Sequence, residues 1–159
     1  MKFDVTIFPD DLNQTIALAR TVEDYGFDGL WTAEAQHNPF LPLTLAATST
    51  QRIALGTAIA VAFPRSPMVT AQIAWDLAAQ SGGRFILGLG TQIKVHIKMR
   101  FSAQWDDKPA SQLREYVESL RAIWKSFQEQ SGLRYRGEHY QFGVLPPFFN
   151  PGPIEHPQI

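Results

Sequence analysis

Four times in roughly the first ninety residues, a short apolar run gives way, after glycine, proline or polar residues, to apolar positions at helical spacing. That alternation restricts the chain to an α/β fold in which right-handed crossovers build a parallel sheet. Val5-Thr6-Ile7-Phe8 stops at Pro9-Asp10-Asp11, and Leu12, Ile16, Ala19 and Val22 then form one helical stripe as far as Gly26. Gly29-Leu30-Trp31-Thr32-Ala33 reads as the second strand, and the break at Asn38-Pro39 leads into a short Ala-rich helix from Leu43 to Thr50. From Ile53 to Val61 both alternating faces are apolar, the pattern of a strand covered on both sides. Ser66 and Pro67 read as the N-cap and first residue of a helix that contains Val69, Ile73, Trp75 and Leu77 and ends at Gly82-Gly83. Phe85-Ile86-Leu87-Gly88-Leu89-Gly90 is the fourth strand.

A parallel sheet of this kind is either doubly wound or a barrel. A dinucleotide-binding doubly wound sheet places a glycine-rich turn after its first strand, whereas Pro9-Asp10-Asp11 stands there. The expected fold is therefore a partial TIM (β/α) barrel: four N-terminal βα units with parallel strands, in a single domain over residues 1–159. A polar insertion covers 91–112, and Leu113, Tyr116, Val117, Leu120, Ile123, Trp124 and Phe127 mark the stripe of a strong amphipathic helix. Residues 133–159 read as a small hairpin around Gly137-Glu138 and an extended tail rich in proline. A complete barrel takes about 250 residues and eight strands, so this chain accounts for half. Strands one and four are each expected to keep an open edge, which a second copy of the chain would cover most simply, giving a homo-oligomer.

With 14 basic and 15 acidic side chains, the net charge of −1 gives no electrostatic hold on nucleic acid or on an anionic membrane. No apolar run approaches the roughly 20 residues of a membrane span, and the first residues run directly into a strand, so a cytoplasmic protein is expected. The absence of cysteine excludes a thiolate metal site and a cysteine nucleophile. His37, His96, His139 and His156 have no ligand spacing among themselves or with nearby acids, so no metal is expected.

Barrel sites lie at the C-terminal ends of the strands. Here those ends are mostly small or apolar, a lining that suits a flat aromatic cofactor better than hydrolysis. Glu34 and His37, just past the second strand, are the acid/base candidates, because a carboxylate and an imidazole there can share a proton near neutral pH. The alternative is that Glu34 pairs locally and His37 is an ordinary loop residue. Gly88-Leu89-Gly90-Thr91-Gln92 begins like a dinucleotide loop, but Ile93 stands at its last glycine position. Glycines at a strand end still allow a ring to approach the backbone closely. Lys94, Lys98 and Arg100 either face a phosphate-bearing tail or form a solvated face, the commoner fate of such a run.

Several longer segments carry a resemblance: Gly29-Leu30-Trp31-Thr32-Ala33-Glu34, Asn38-Pro39-Phe40-Leu41-Pro42-Leu43, Arg52 to Ile59, Ser81 to Gln92, and Arg114-Glu115-Tyr116-Val117. Together they resemble the luciferase-like monooxygenase superfamily, in particular its oxidoreductases that use the deazaflavin coenzyme F(420). The resemblance implies a barrel that holds a flavin or deazaflavin ring over the strand ends and passes hydride between the ring and a small-molecule substrate. Coenzyme F(420) is favoured, with FMN as the alternative. Carried over residue by residue, it implies catalytic roles for Glu34 and His37, and cofactor contacts from Phe8, Ala58, Ile59, Gly90, Thr91, Gln92 and Lys94. It also implies a cis peptide at Ala58-Ile59 behind the ring. The family's common His-His or Asp-His pattern is here Glu34-Ala35-Gln36-His37, and the acid often found after strand four is Ile93. Phe148 to Pro153 looks like the segment that leads into a fifth strand. Because the family's phosphate-binding loops come largely from the other half of the barrel, cofactor affinity is expected to be weak or lost, and the alternative function is a non-catalytic half-barrel that dimerises, with or without binding a flavin-like ligand.

Overall fold

In the computed structural model, which describes residues 1–159, the chain divides into two compact units. One comprises Met1–Ala60, Ile73–Leu89 and Pro157–Ile159; the other comprises Val61–Gln72 and Gly90–His156. The elements follow in the order β1 (Asp4–Ile7), a 3-10 turn (Leu12–Gln14), α1 (Thr15–Asp24), β2 (Gly29–Thr32), α2 (Phe40–Ser49), β3 (Ala54–Thr57), β4 (Ala60–Val61), α3 (Pro67–Ser81), β5 (Phe85–Ile86) and β6 (Leu89–Gly90). A π-turn (His96–Arg100), α4 (Pro109–Glu129), β7 (Tyr135–Arg136), β8 (Gln141–Phe142) and a 3-10 turn (Pro147–Phe149) complete the chain.

The first unit is built on a parallel sheet of order β1-β2-β3-β5, with Asp4 beside Gly29, Gly29 beside Ala54, and Leu55 beside Phe85. Leu30, Leu43, Ile53, Leu55, Trp75, Phe85 and Leu87 fill its core. Two side chains lock the N-terminal side of the sheet. The Arg84 guanidinium donates to the carbonyls of Ala47, Thr50 and Ile53 and to the Thr50 hydroxyl, which joins the end of α2 to the starts of β3 and β5. Glu23, at the end of α1, accepts from the amides of Gln51, Arg52 and Ile53.

The two open edges expected from the sequence reduce to one. Gln158 bridges Ile86 in parallel, and the Leu87 amide donates to its carbonyl at 2.9 Å, so the tail begins the next strand position; β1 pairs only with β2. Two strands read as continuous are also interrupted. The Ala58-Ile59 peptide is cis, as the resemblance implies, and separates β3 from β4. Between β5 and β6, the Thr57 hydroxyl accepts the Gly88 amide at 2.9 Å and donates to the Gly88 carbonyl at 2.7 Å. A Cβ at position 88 would lie 1.9 Å from the Thr57 carbonyl oxygen, so this approach requires glycine. The side chain thus replaces the backbone ladder at the point where the strands part.

α4 organises the second unit. Tyr116, Leu120, Ile123, Trp124 and Phe127 are fully buried along its length, whereas Leu113 and Val117, assigned to the same stripe from the sequence, are half-exposed. The buried stripe is instead widened by Glu115, Ser119 and Ser126. Trp124 donates its indole N–H to the Ala71 carbonyl, and Tyr116 shares a hydrogen bond with the Thr70 hydroxyl. β7 and β8 form the expected antiparallel hairpin, with Tyr135 opposite Phe142. Glu115 secures it: the backbone amides of Glu138, His139 and Tyr140 all donate to its carboxylate at 2.7–3.0 Å.

Candidate functional site at the strand ends

In the first unit the strand ends are shaped by backbone hydrogen bonds that fix the loops beyond them. β1 runs into Phe8-Pro9-Asp10, after which Asp11 caps the 3-10 turn by accepting from the Asn13 amide. The buried Thr32 hydroxyl, at the end of β2, donates to the Pro39 carbonyl at 2.7 Å and so closes the loop that carries residues 33–38. Asn38 then accepts the Phe40 amide and starts α2. From β3, the Ala58 amide donates to the Thr32 carbonyl at 2.7 Å, while the Ile59 carbonyl accepts the Glu34 amide at 3.0 Å. Glu34 is therefore held against the cis peptide through its backbone.

Between the ends of β1 and β2 lies a recess of about 120 Å³. Phe8, Leu12 and Leu41 border it and are 64%, 40% and 53% exposed, while Thr32, Gln36 and His37 add polar groups. The structure thus brings Phe8 and His37 to one concavity, and leaves Glu34, Ala58 and Ile59 outside its lining. Ala58 is exposed and Ile59 half-buried, so the surface beside the cis bond is small and apolar. Sequence reasoning missed Leu12 and Leu41. Leu12 fits the helical period of α1, but the 3-10 turn intervenes and directs it to the recess, whereas the buried positions of α1 are Thr15, Ala19 and Val22. No periodicity signal could have found it; the Asp11-Leu12-Asn13 turn chemistry is the available clue.

The remaining candidates belong to the second unit. Gly90 accepts the Ala62 amide on its carbonyl. The Thr91 hydroxyl donates to the Gln92 carbonyl, and Gln92, in the left-handed region at φ 59, accepts from the Ile93 amide and meets His96 Nδ1 at 3.1 Å. Lys94 is exposed and ion-paired with Asp107 at 2.9 Å. Its hydrogen bond and charge hold the Asp107 carboxyl below the usual aspartate value. Lys98 and Arg100 are exposed on the π-turn. No three His, Cys, Asp or Glu side chains come together as metal ligands, and no helix is long and apolar enough to cross a membrane.

With this geometry in place, known proteins supply a context. The sequence profile described as luciferase-like monooxygenase matches residues 4–159. A Mycobacterium tuberculosis protein described as uncharacterized is 50% identical over 157 residues, which is 99% of this chain and 46% of the relative. The 5,10-methylenetetrahydromethanopterin reductase of Archaeoglobus fulgidus is 33% identical over 160 residues, 97% of this chain and 46% of that protein. Among solved structures, the coenzyme F(420) dependent tetrahydromethanopterin reductase of Methanopyrus kandleri superposes with a TM-score of 0.72 at 29% identity, covering 89% of this chain and 44% of that one. The chain thus spans about half the length of the relatives it matches, and the fold is a partial barrel of the luciferase-like type.

Proposed function

The chain belongs to the luciferase-like monooxygenase family, and from that premise we propose that it serves a flavin- or deazaflavin-dependent oxidoreductase reaction in which hydride passes between the coenzyme and a small organic substrate. The observation that carries the reading is the recess at the ends of β1 and β2, where exposed apolar side chains surround a single imidazole. An exposed Phe8 and the small, apolar surface at Ala58-Ile59 fit a flat ring, which binds by contact area and tolerates few side chains over its face. Coenzyme F(420) is favoured over FMN because two of the relatives above are reductases of a methanopterin, one named for that coenzyme.

In this reading the coenzyme, when bound, supplies the centre that accepts or gives hydride. His37 handles the proton that accompanies it, and Glu34, fixed through the Ile59 carbonyl, is the second acid/base group. Phe8, Ala58 and Ile59 are the ring contacts proposed within the first unit. A fluorescence titration of the folded chain with F(420) and FMN tests the proposal. Saturable binding that is tighter for F(420) is expected; no binding of either coenzyme contradicts it. Where turnover is measurable, His37→Ala should lower kcat about a hundredfold or more with the coenzyme still bound.

A second reading, a non-catalytic half-barrel that self-associates, is favoured by the edge of β1, whose outer side has no strand partner. Light scattering should then report a dimer, and a monomer at high protein concentration overturns this reading.

A further inference from the structure

The size of the recess at the ends of β1 and β2 decides what it can hold. An apolar cavity of about 150 Å³ takes a single benzene, so a recess of about 120 Å³ is too small for the tricyclic head of a deazaflavin. Glu34, Ala58 and Ile59 stand outside its lining, and of the ring contacts proposed in this unit only Phe8 borders it. The recess is thus a space distinct from the surface at the Ala58-Ile59 peptide, to which Glu34 is tied.

Its chemistry is one-sided. Phe8, Leu12 and Leu41 give it an apolar rim. Of the polar groups on the lining, the Thr32 hydroxyl is taken by the Pro39 carbonyl and the Asn38 oxygen by the Phe40 amide. The exposed side chains of Gln36 and His37 remain to meet a polar atom of a ligand. No lysine or arginine lines the recess, and the carboxylate on its lining is that of Asp10. An anionic group entering here would lose water beside a like charge and gain no fixed cation in return.

We propose that the recess is a substrate subsite for the uncharged, mainly apolar end of a small molecule. Leu12 and Leu41 are its specificity-determining residues, and His37 is the hydrogen-bond partner of one polar atom. The inference rests on the oxidoreductase reading in taking the bound molecule as the substrate, whereas the preference itself belongs to the recess and is measured without coenzyme.

2-Pentanone and butyrate are the matched probes, because they share a propyl chain and differ in a methyl ketone against a carboxylate. Each is titrated into the isotope-labelled whole chain near neutral pH and followed by NMR. 2-Pentanone should give saturable shifts at Leu12, His37 and Leu41, and butyrate should bind at least about tenfold more weakly. Shifts at Val144 and Phe148, exposed apolar residues of the second unit, should stay small. Leu12→Ala should weaken 2-pentanone about threefold through lost apolar contact. Leu41→Lys, at a position 53% exposed, should reverse the preference so that butyrate binds more tightly. Equal affinity of the wild-type chain for the two probes, 2-pentanone shifts no larger at the recess than at Val144 and Phe148, or an unchanged preference in Leu41→Lys overturns the inference. So does a chain that binds F(420) yet takes no 2-pentanone in the recess. Selective uptake of 2-pentanone by a chain that binds neither coenzyme leaves the preference of the recess standing and contradicts the oxidoreductase reading alone.

Discussion

Three consecutive amides of the hairpin converge on the Glu115 carboxylate, a residue only 8% exposed. A Cβ at Gly137 would stand 1.9 Å from Glu115 Oε1, so the close approach depends on both residues. Hydrogen bonds to a charged acceptor are stronger than neutral ones, and Glu115→Gln should therefore lower stability by about 1.5–3 kcal/mol, as read by urea unfolding. Glu23 makes a parallel arrangement at the surface, with a pH signature. Burial raises its carboxyl, but the amides of Arg52, Gln51 and Ile53 and the charge of Arg84 outweigh that and leave it below its ordinary value of 4.5. A carboxylate depressed in the folded state contributes stability that is fully present above its unfolded value and is lost as pH falls through the folded one. Wild-type stability should thus decline below pH 4.5, and Glu23→Gln should show a shallower decline in thermal melts between pH 6 and 3 (a range of about this width is set by carboxylate titration). Neither role was legible in the sequence. Glu115 falls among polar positions of an amphipathic helix, and nothing local shows that a turn more than twenty residues later will wrap around it.

At the scale of elements, the sequence was legible wherever one periodicity persisted. The helix at 67–81 begins at its Ser66 cap, whose hydroxyl accepts the Val69 amide, and stops at two glycines of positive φ, as composition alone indicated. The amphipathic stripe of α4 is right at its centre and wrong at its start, because Leu113 and Val117 lie on the flank where the hairpin draws Glu115 inward. The strands from 53 to 61 and from 85 to 90 carry unbroken apolar patterns, so their interruption around Thr57 and Gly88 reflects side-chain-to-backbone bonding that no period records. α4 should be the element on which the second unit depends. Trp124, fully buried with its indole N–H bonded to the Ala71 carbonyl, is its central contact. Trp124→Ala should cost about 3–5 kcal/mol, the range of large aromatic truncations, in chemical unfolding followed by circular dichroism.

At the scale of the molecule, the parallel sheet and its partial-barrel character followed from the strand–helix alternation, and the family followed from the segments that surround it. The site was legible only in outline. Strand-end logic located Phe8 and His37, which line one recess, but could not separate them from Glu34, whose place is set by the Ile59 carbonyl. It also overlooked Leu12 and Leu41, because an apolar residue at a helix period reads as core until a turn redirects it. The central claim is that the deazaflavin ring lies on these strand ends. The most direct measurement is an amide NMR titration of the isotope-labelled chain with coenzyme F(420). Progressive, saturable shifts concentrated at Phe8, Glu34, His37 and Ile59, retained at Phe8, Glu34 and Ile59 in His37→Ala, are the predicted result. Saturable shifts that leave these four amides unmoved, or no shifts at all, would contradict it.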